Sequence, residues 1–240
     1  MIIDAYNLDY RSLNDALRNT NESCEIINCC GQRYIGAGMS GKNISISGIP
    51  GNARGVYLND SVITVNSNAQ DAVGDTMNGG KIIVYGNIGD TAGYAMRGGK
   101  IFVKGNAGYR TGIHMKEYKD KYPVIVIGGK CGSFLGEYQA GGKIIVLGLN
   151  VNNNKEIVEQ FPCTGMHGGE IFLRSDCRNI SFPEKVIVRR ATEEDLKEID
   201  SYITEFCELF GYEKNEVLDS PFTKVIPDKM NPYKQMYVAN

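Results

Sequence analysis

Seven cysteines, two histidines and one polar, aromatic run hold most of the side-chain chemistry that this chain can offer. A thiolate can act as nucleophile or metal ligand, and an imidazole can shuttle protons or hold a metal. The cysteines stand at Cys24, Cys29, Cys30, Cys131, Cys163, Cys177 and Cys207, with no C-x-x-C pair among them. Neighbouring Cys29 and Cys30 would point to opposite faces of a strand. His114 and His167 lie at no ligand spacing to each other or to a carboxylate pair. No catalytic, cofactor-binding or metal-ligating residue is therefore expected within the chain. The run Tyr109-Arg110-Thr-Gly-Ile-His114-Met-Lys116-Glu117-Tyr118 brings cations, rings and an imidazole together. Tyr109, Arg110, His114 and Lys116 are candidate partner contacts, with a small-molecule site as the alternative. Phe222, Tyr233 and Tyr237, in the proline-containing stretch Ser220 to Asn240, are further candidates for partner contact. Gly74-Asp-Thr-Met-Asn-Gly79-Gly80 looks like a phosphate loop, but no Gly-Lys-Ser/Thr follows it.

The glycines of that string belong to a repeat, and the repeat is what must position everything else. Gly36, Gly55, Gly74, Gly93 and Gly112 stand nineteen residues apart, each followed three positions later by Met39, Leu58, Met77, Met96 or Met115. Alternating apolar pairs come next in phase: Ile44/Ile46, Ile63/Val65, Ile82/Val84 and Ile101/Val103. Gly48, Ser67, Gly86 and Gly105 make a second small-residue column. Alternation is the strand period, and about nineteen residues suffice for one coil of a β-solenoid. The fold expected is all-β, a single-stranded β-helix of about seven coils, roughly 34 Å tall at about 4.8 Å per rung. Asn68, Asn87 and Asn106 share a corner column and predict a stacked amide ladder. Gly112 to Gly136 is twenty-four residues, one coil plus five, and the insertion is placed in the charged run Lys116 to Tyr122.

Residues 1–30 read as an N-terminal capping segment, 31–182 as the β-helix domain and 183–240 as a C-terminal helix with an extended tail. Leu8, Leu13, Ala16 and Leu17 make the cap amphipathic. Thr192-Glu-Glu-Asp195 reads as an N-cap, and Leu196, Ile199, Ile203, Phe206 and Phe210 form one apolar stripe ending at Gly211, expected to dock on the solenoid. A formal net charge of −2 recommends neither nucleic acid nor a membrane surface as partner. Charged residues at Asp4, Asp9, Arg11, Asp15 and Arg18 do not suit a secretory signal, and the odd cysteine count suits reduced thiols. A cytoplasmic location is expected.

The strings Gly-Gln32-Arg33-Tyr-Ile-Gly36-Ala-Gly38-Met, Gly74-Asp-Thr-Met-Asn-Gly79-Gly80, Gly93-Tyr-Ala-Met-Arg97-Gly98-Gly99 and Gly136-Glu-Tyr-Gln-Ala-Gly141-Gly142 resemble the GXGXG repeats of the glutamate synthase large subunit. The similarity spans roughly residues 25 to 175. It implies a right-handed β-helix, here in the stand-alone version of a synthase split into separate subunits. It also implies partners: a glutamine amidotransferase subunit and a glutamate synthase subunit carrying FMN and iron–sulfur clusters, with self-association through the C-terminal segment as a further expectation. The family's amidotransferase nucleophile is an N-terminal cysteine, whereas this chain starts Met1-Ile2-Ile3. Neither half-reaction is carried over to any residue here. The implied role is a non-catalytic structural subunit. A more distant resemblance, to the matching subunit of formylmethanofuran dehydrogenase, implies the same fold in another oxidoreductase complex.

Overall fold

The computed structural model describes residues 1–20, 23–149, 151 and 156–228. It opens with β1 (Ile2–Asp4), α1 (Tyr10–Arg18) and β2 (Cys24–Cys30). Then come β3 (Ser40–Ile49), β4 (Asp60–Val65), β5 (Lys81–Val84), β6 (Gly99–Val103), β7 (Pro123–Ile127), β8 (Ala140–Val146) and β9 (Gly168–Leu173). These strands pair in chain order, all parallel, so that about eight turns of solenoid separate β1 from β9. The register is the one the period demands: Ile44 pairs with Ile63, Ile63 with Ile82 and Ile82 with Ile101. It survives the insertion, because Ile101 pairs with Ile125, and Tyr118 and Lys121 close the extra residues into a small antiparallel turn. Inward Ile63, Ile82, Ile101, Ile125 and Ile144 are completely buried, each contributing about 1.5–3 kcal/mol.

The corner after each strand is built from side chains as well as backbone. Asn68 Oδ1 accepts the Asn87 N–H at 2.8 Å, Asn87 Oδ1 that of Asn106 at 2.8 Å, and Asn106 Oδ1 that of Lys130 at 2.9 Å. The ladder therefore runs from amide oxygen to the backbone of the next rung. Asp71 and Asp90 form a parallel one, accepting from Asp90 and Tyr109 N–H at 3.0 and 2.8 Å. A Cβ on Gly86 or Gly105 would collide with Asn68 or Asn87 Oδ1, which explains the small-residue column.

At the N-terminal end, Asp9 caps α1 by accepting the Ser12 N–H at 2.8 Å, and Leu13 and Leu17 are fully buried against the first rungs. At the other end the chain forms β10 (Val186–Arg190), α2 (Glu193–Phe210), α3 (Lys214–Leu218) and β11 (Thr223–Pro227). β11 inserts antiparallel between β9 and β10 and ends the parallel stack. This strand lies inside the stretch expected as an extended tail; its partners are some fifty residues away in β9, beyond the reach of a local period.

α2 carries a capping box between Thr192 and Asp195 and stops at left-handed Gly211, φ +73°. Its Ile199, Ile203, Phe206 and Phe210 make a second core with Ile83, Phe102, Val126, Ile145 and Phe172, which form one outward column of the sheet. In β3 and β4, outside that core, the same column holds Ser45 and Thr64. Charge pairs fasten the helix. Glu205 binds Lys81 and, at 2.6 Å, Lys100. Buried Lys224 meets Asp195 and Glu170 at 2.8 Å and Glu198 at 3.3 Å. Lys143 joins Glu170 and, at 3.2 Å, Glu198. No described helix is long and apolar enough to cross a membrane.

Candidate functional site

Each rung passes through three left-handed residues at alternate positions before its strand. Arg110, Gly112 and His114 have φ of +57°, +74° and +55°; Phe134, Gly136 and Tyr138 have +63°, +64° and +51°. Left-handed geometry costs an L-residue about 1–2 kcal/mol, so Arg, His, Phe and Tyr there mark a backbone imposed by its surroundings. The imposition is visible in the inter-rung hydrogen bonds. Arg110 N–H donates to Ser133 O at 2.9 Å, His114 N–H to Glu137 O at 3.0 Å, and Tyr138 N–H to Thr164 O at 2.8 Å. The middle residue faces the core, and the flanking two turn side chains outward in two columns.

Those columns assemble a polar, aromatic corner. The Arg110 guanidinium lies 5.1 Å from the Phe134 ring centre while its Nε donates to Glu137 Oε2 at 2.8 Å. Phe134 stacks on Phe161 at 5.3 Å. His114 stacks on Tyr138 at 5.2 Å and 8°, and Tyr94 meets the other side of the imidazole edge-on at 5.9 Å. Tyr94, Tyr138 and Phe161 remain exposed. Of the side chains singled out from sequence, Arg110 and His114 sit at this corner. Tyr109 is 51% exposed and lines an adjoining open groove of about 800 Å³ with Ser133, Glu159 and Phe161. Lys116 is exposed one residue past buried Met115, where the insertion begins.

Phe222 does not belong with them. It is 2% exposed and packs in the second core with α2, so its side chain is taken up inside the chain. Tyr233 and Tyr237 lie outside the described residues. Phe134, Glu137, Tyr138 and Phe161 were not singled out from sequence. The signal was present: Phe134 and Tyr138 follow Arg110 and His114 by the same twenty-four residues that separate Gly112 from Gly136.

The chemistry at this corner is stacking, cation–π contact and hydrogen bonding, the chemistry of recognition. Among the described residues no three His, Cys, Asp or Glu side chains come together in a group able to hold a metal ion. The described thiols are mostly interior. Burial pushes the Cys163 thiol up to about 12 and raises Cys131 further, so neither offers a thiolate at neutral pH.

The profile of a protein family described as "GXGXG motif" matches residues 10–229. A protein of Methanocaldococcus jannaschii described as uncharacterized protein MJ1350 is 44% identical over 253 residues, spanning 100% of this chain and 97% of its own length.

Proposed function

We propose, from the premise that this chain belongs to the GXGXG motif family, that it is a non-catalytic structural subunit of a glutamate-synthase-type complex. In this reading it docks a glutamine amidotransferase subunit and an FMN- and iron–sulfur-carrying synthase subunit, and the reactive groups reside in those partners, in the cytoplasm. The observation that carries the reading is the corner at Arg110, His114, Phe134 and Tyr138. Four large side chains are held out on left-handed backbone, in stacked pairs already ordered before any partner arrives. Ordered aromatic and arginine side chains at low entropy cost are what a specific interface concentrates. The stack behind them is rigid, since every rung is hydrogen-bonded to the next. That suits a spacer: a misplacement of about 1 Å between reacting sites can cost about a hundredfold in rate.

Co-expression with the two catalytic subunits tests the proposal. The three polypeptides are expected to purify as one complex, and the pair His114→Ala and Tyr138→Ala, both on an exposed corner, is expected to weaken it at least tenfold. A chain that stays alone in the presence of both subunits overturns the proposal. Recovery instead with the subunits of a formylmethanofuran-dehydrogenase-type complex would keep the scaffold role and replace its setting.

A further inference from the structure

The inward columns of the solenoid are overwhelmingly apolar, and one of the exceptions carries a full charge. Arg54 stands between Ile35 and Val73 in the column that precedes the inward glycine, and it is completely buried. Its Nη2 donates to the Gly51 carbonyl at 2.5 Å. Nε and Nη1 find no acceptor among the described residues. Burial lowers the guanidinium to about 10, against the through-space pull of Cys29 and Asp71, so the charge persists at neutral pH.

Neither of those two groups compensates it by bonding. The Asp71 carboxylate accepts the Asp90 N–H at 3.0 Å in the corner ladder. The Cys29 thiol, pushed by burial up to about 11, donates to Gln32 Oε1 at 3.4 Å. Beside Gly51 the inward column begins with small residues, Pro50 and then Ala69, and continues through Ile88, Ala107, Cys131 and Val158 in later rungs. A water molecule accepts a hydrogen bond but leaves the charge offset only by the through-space pull of Asp71, and a buried charge without a bonded counter-ion is destabilising. An anion satisfies both needs.

We propose that the interior at Arg54 is a binding site for a small monovalent inorganic anion of the halide class, enclosed as the coils close around it. A single positive charge matches a monovalent ion, and the sealed interior selects a monatomic one over bulkier anions. The site does not depend on the scaffold role.

Bromide is the probe. Crystals of the whole chain grown with sodium bromide as the sole halide are expected to show an anomalous peak within hydrogen-bond reach of Arg54 Nη1 or Nε. In solution, sodium bromide should raise the melting temperature over sodium gluconate of equal ionic strength by several degrees for the wild type and not for Arg54→Met. Water alone at Arg54 in the bromide map overturns the proposal, as does the same bromide shift in both proteins. Should Arg54→Met fail to fold, the wild-type map decides by itself.

Discussion

Two glycines with the same backbone and opposite surroundings separate the conformational demand of the repeat from its steric demand. Gly74 and Gly38 have φ of +67° and +65°. An added Cβ at Gly38 meets nothing within 4 Å, whereas at Gly74 it would lie 2.6 Å from Ile101 Cδ1, in the strand of the next rung. Alanine at either site incurs about 1–2 kcal/mol for left-handed geometry, partly offset by about 0.4–1 kcal/mol through a less flexible unfolded chain. Gly74→Ala adds overpacking of about 1–3 kcal/mol, and that addition is the predicted difference between the variants. Urea unfolding followed by circular dichroism measures it; in heat it corresponds to about 2–4 °C per kcal/mol for a chain of this size. A double-mutant cycle isolates the clash, because Ile101→Val removes the offending Cδ1. Alone it should cost about 0.5–1.5 kcal/mol, but combined with Gly74→Ala it should recover about 1 kcal/mol or more of the expected sum. Equal destabilisation by Gly74→Ala and Gly38→Ala, or strict additivity with Ile101→Val, would refute the reasoning.

The charge cluster beneath α2 yields two more predictions. Lys224→Met removes the cation that Asp195, Glu170 and Glu198 share but leaves Arg189 on Asp195 and Lys143 on the two glutamates, so α2 and β11 should loosen by about 1–3 kcal/mol while the distant rungs hold; hydrogen exchange across residues 193–210 reads this, and unchanged protection there would count against it. Acid should have the same local effect. The Arg189 fork and the Lys224 ammonium hold Asp195 well below the usual carboxylate range; for Glu205, burial acts the other way but Lys100 and Lys81 outweigh it. Native values below the unfolded ones, about 3.9 for Asp and 4.3 for Glu, mean that this stabilisation is complete above about pH 5 and is lost progressively as pH falls below the unfolded values and through the native ones. Protease nicking near α2 that rises below about pH 4, before the solenoid unfolds, is the expected outcome; simultaneous loss of both would contradict it.

Most of the solenoid could be read from sequence because one rung repeats its neighbour's environment. The isoleucine column, the glycine column and the site of the insertion all follow from register alone. What lay outside that logic was the set of contacts made by chain segments far apart. The strand pattern Pro-Val-Ile-Val-Ile of β7 is buried on both faces, and the outward change from Ser45 and Thr64 to Ile83, Phe102 and Val126 announces a covering element. The stripe of α2 is expected from sequence to dock on the solenoid; that it covers this outward column follows only from the fold. β10 and β11 carry no repeat, since they pair with each other and with β9 alone. At the candidate corner, Arg110 and His114 stood out by residue type, but Phe134 and Tyr138 required carrying the register across the insertion. Arg54 was missed although the register sets it in one column with Ile35 and Val73, each one residue before a repeat glycine; its complete burial follows from the fold.

The glycine column itself shows how a fold this regular leaves room for a specific surface. Gly36, Gly55, Gly74, Gly93, Gly112 and Gly136 each face the isoleucine of the rung beyond: Ile63, Ile82, Ile101, Ile125, Ile144 and Ile171 in turn. If that isoleucine is what demands glycine, the demand should lapse where the isoleucines end. It does. In the coil leading to β9 the same position is Cys163, buried and left-handed at φ +62°, and the strand laid on β9 is antiparallel β11, which places Val225 beside Ile171. The left-handed turn is therefore general to the rungs, while exclusion of a side chain is particular to those with a parallel successor. The flanking positions of the triplet point away from the isoleucine column and escape that particular exclusion, so Ala72 and Thr76 in one rung become Arg110 and His114 in another at equal backbone cost. A rod built this way can change its outward columns rung by rung without disturbing its core, and the aromatic corner is the stretch where it has done so most.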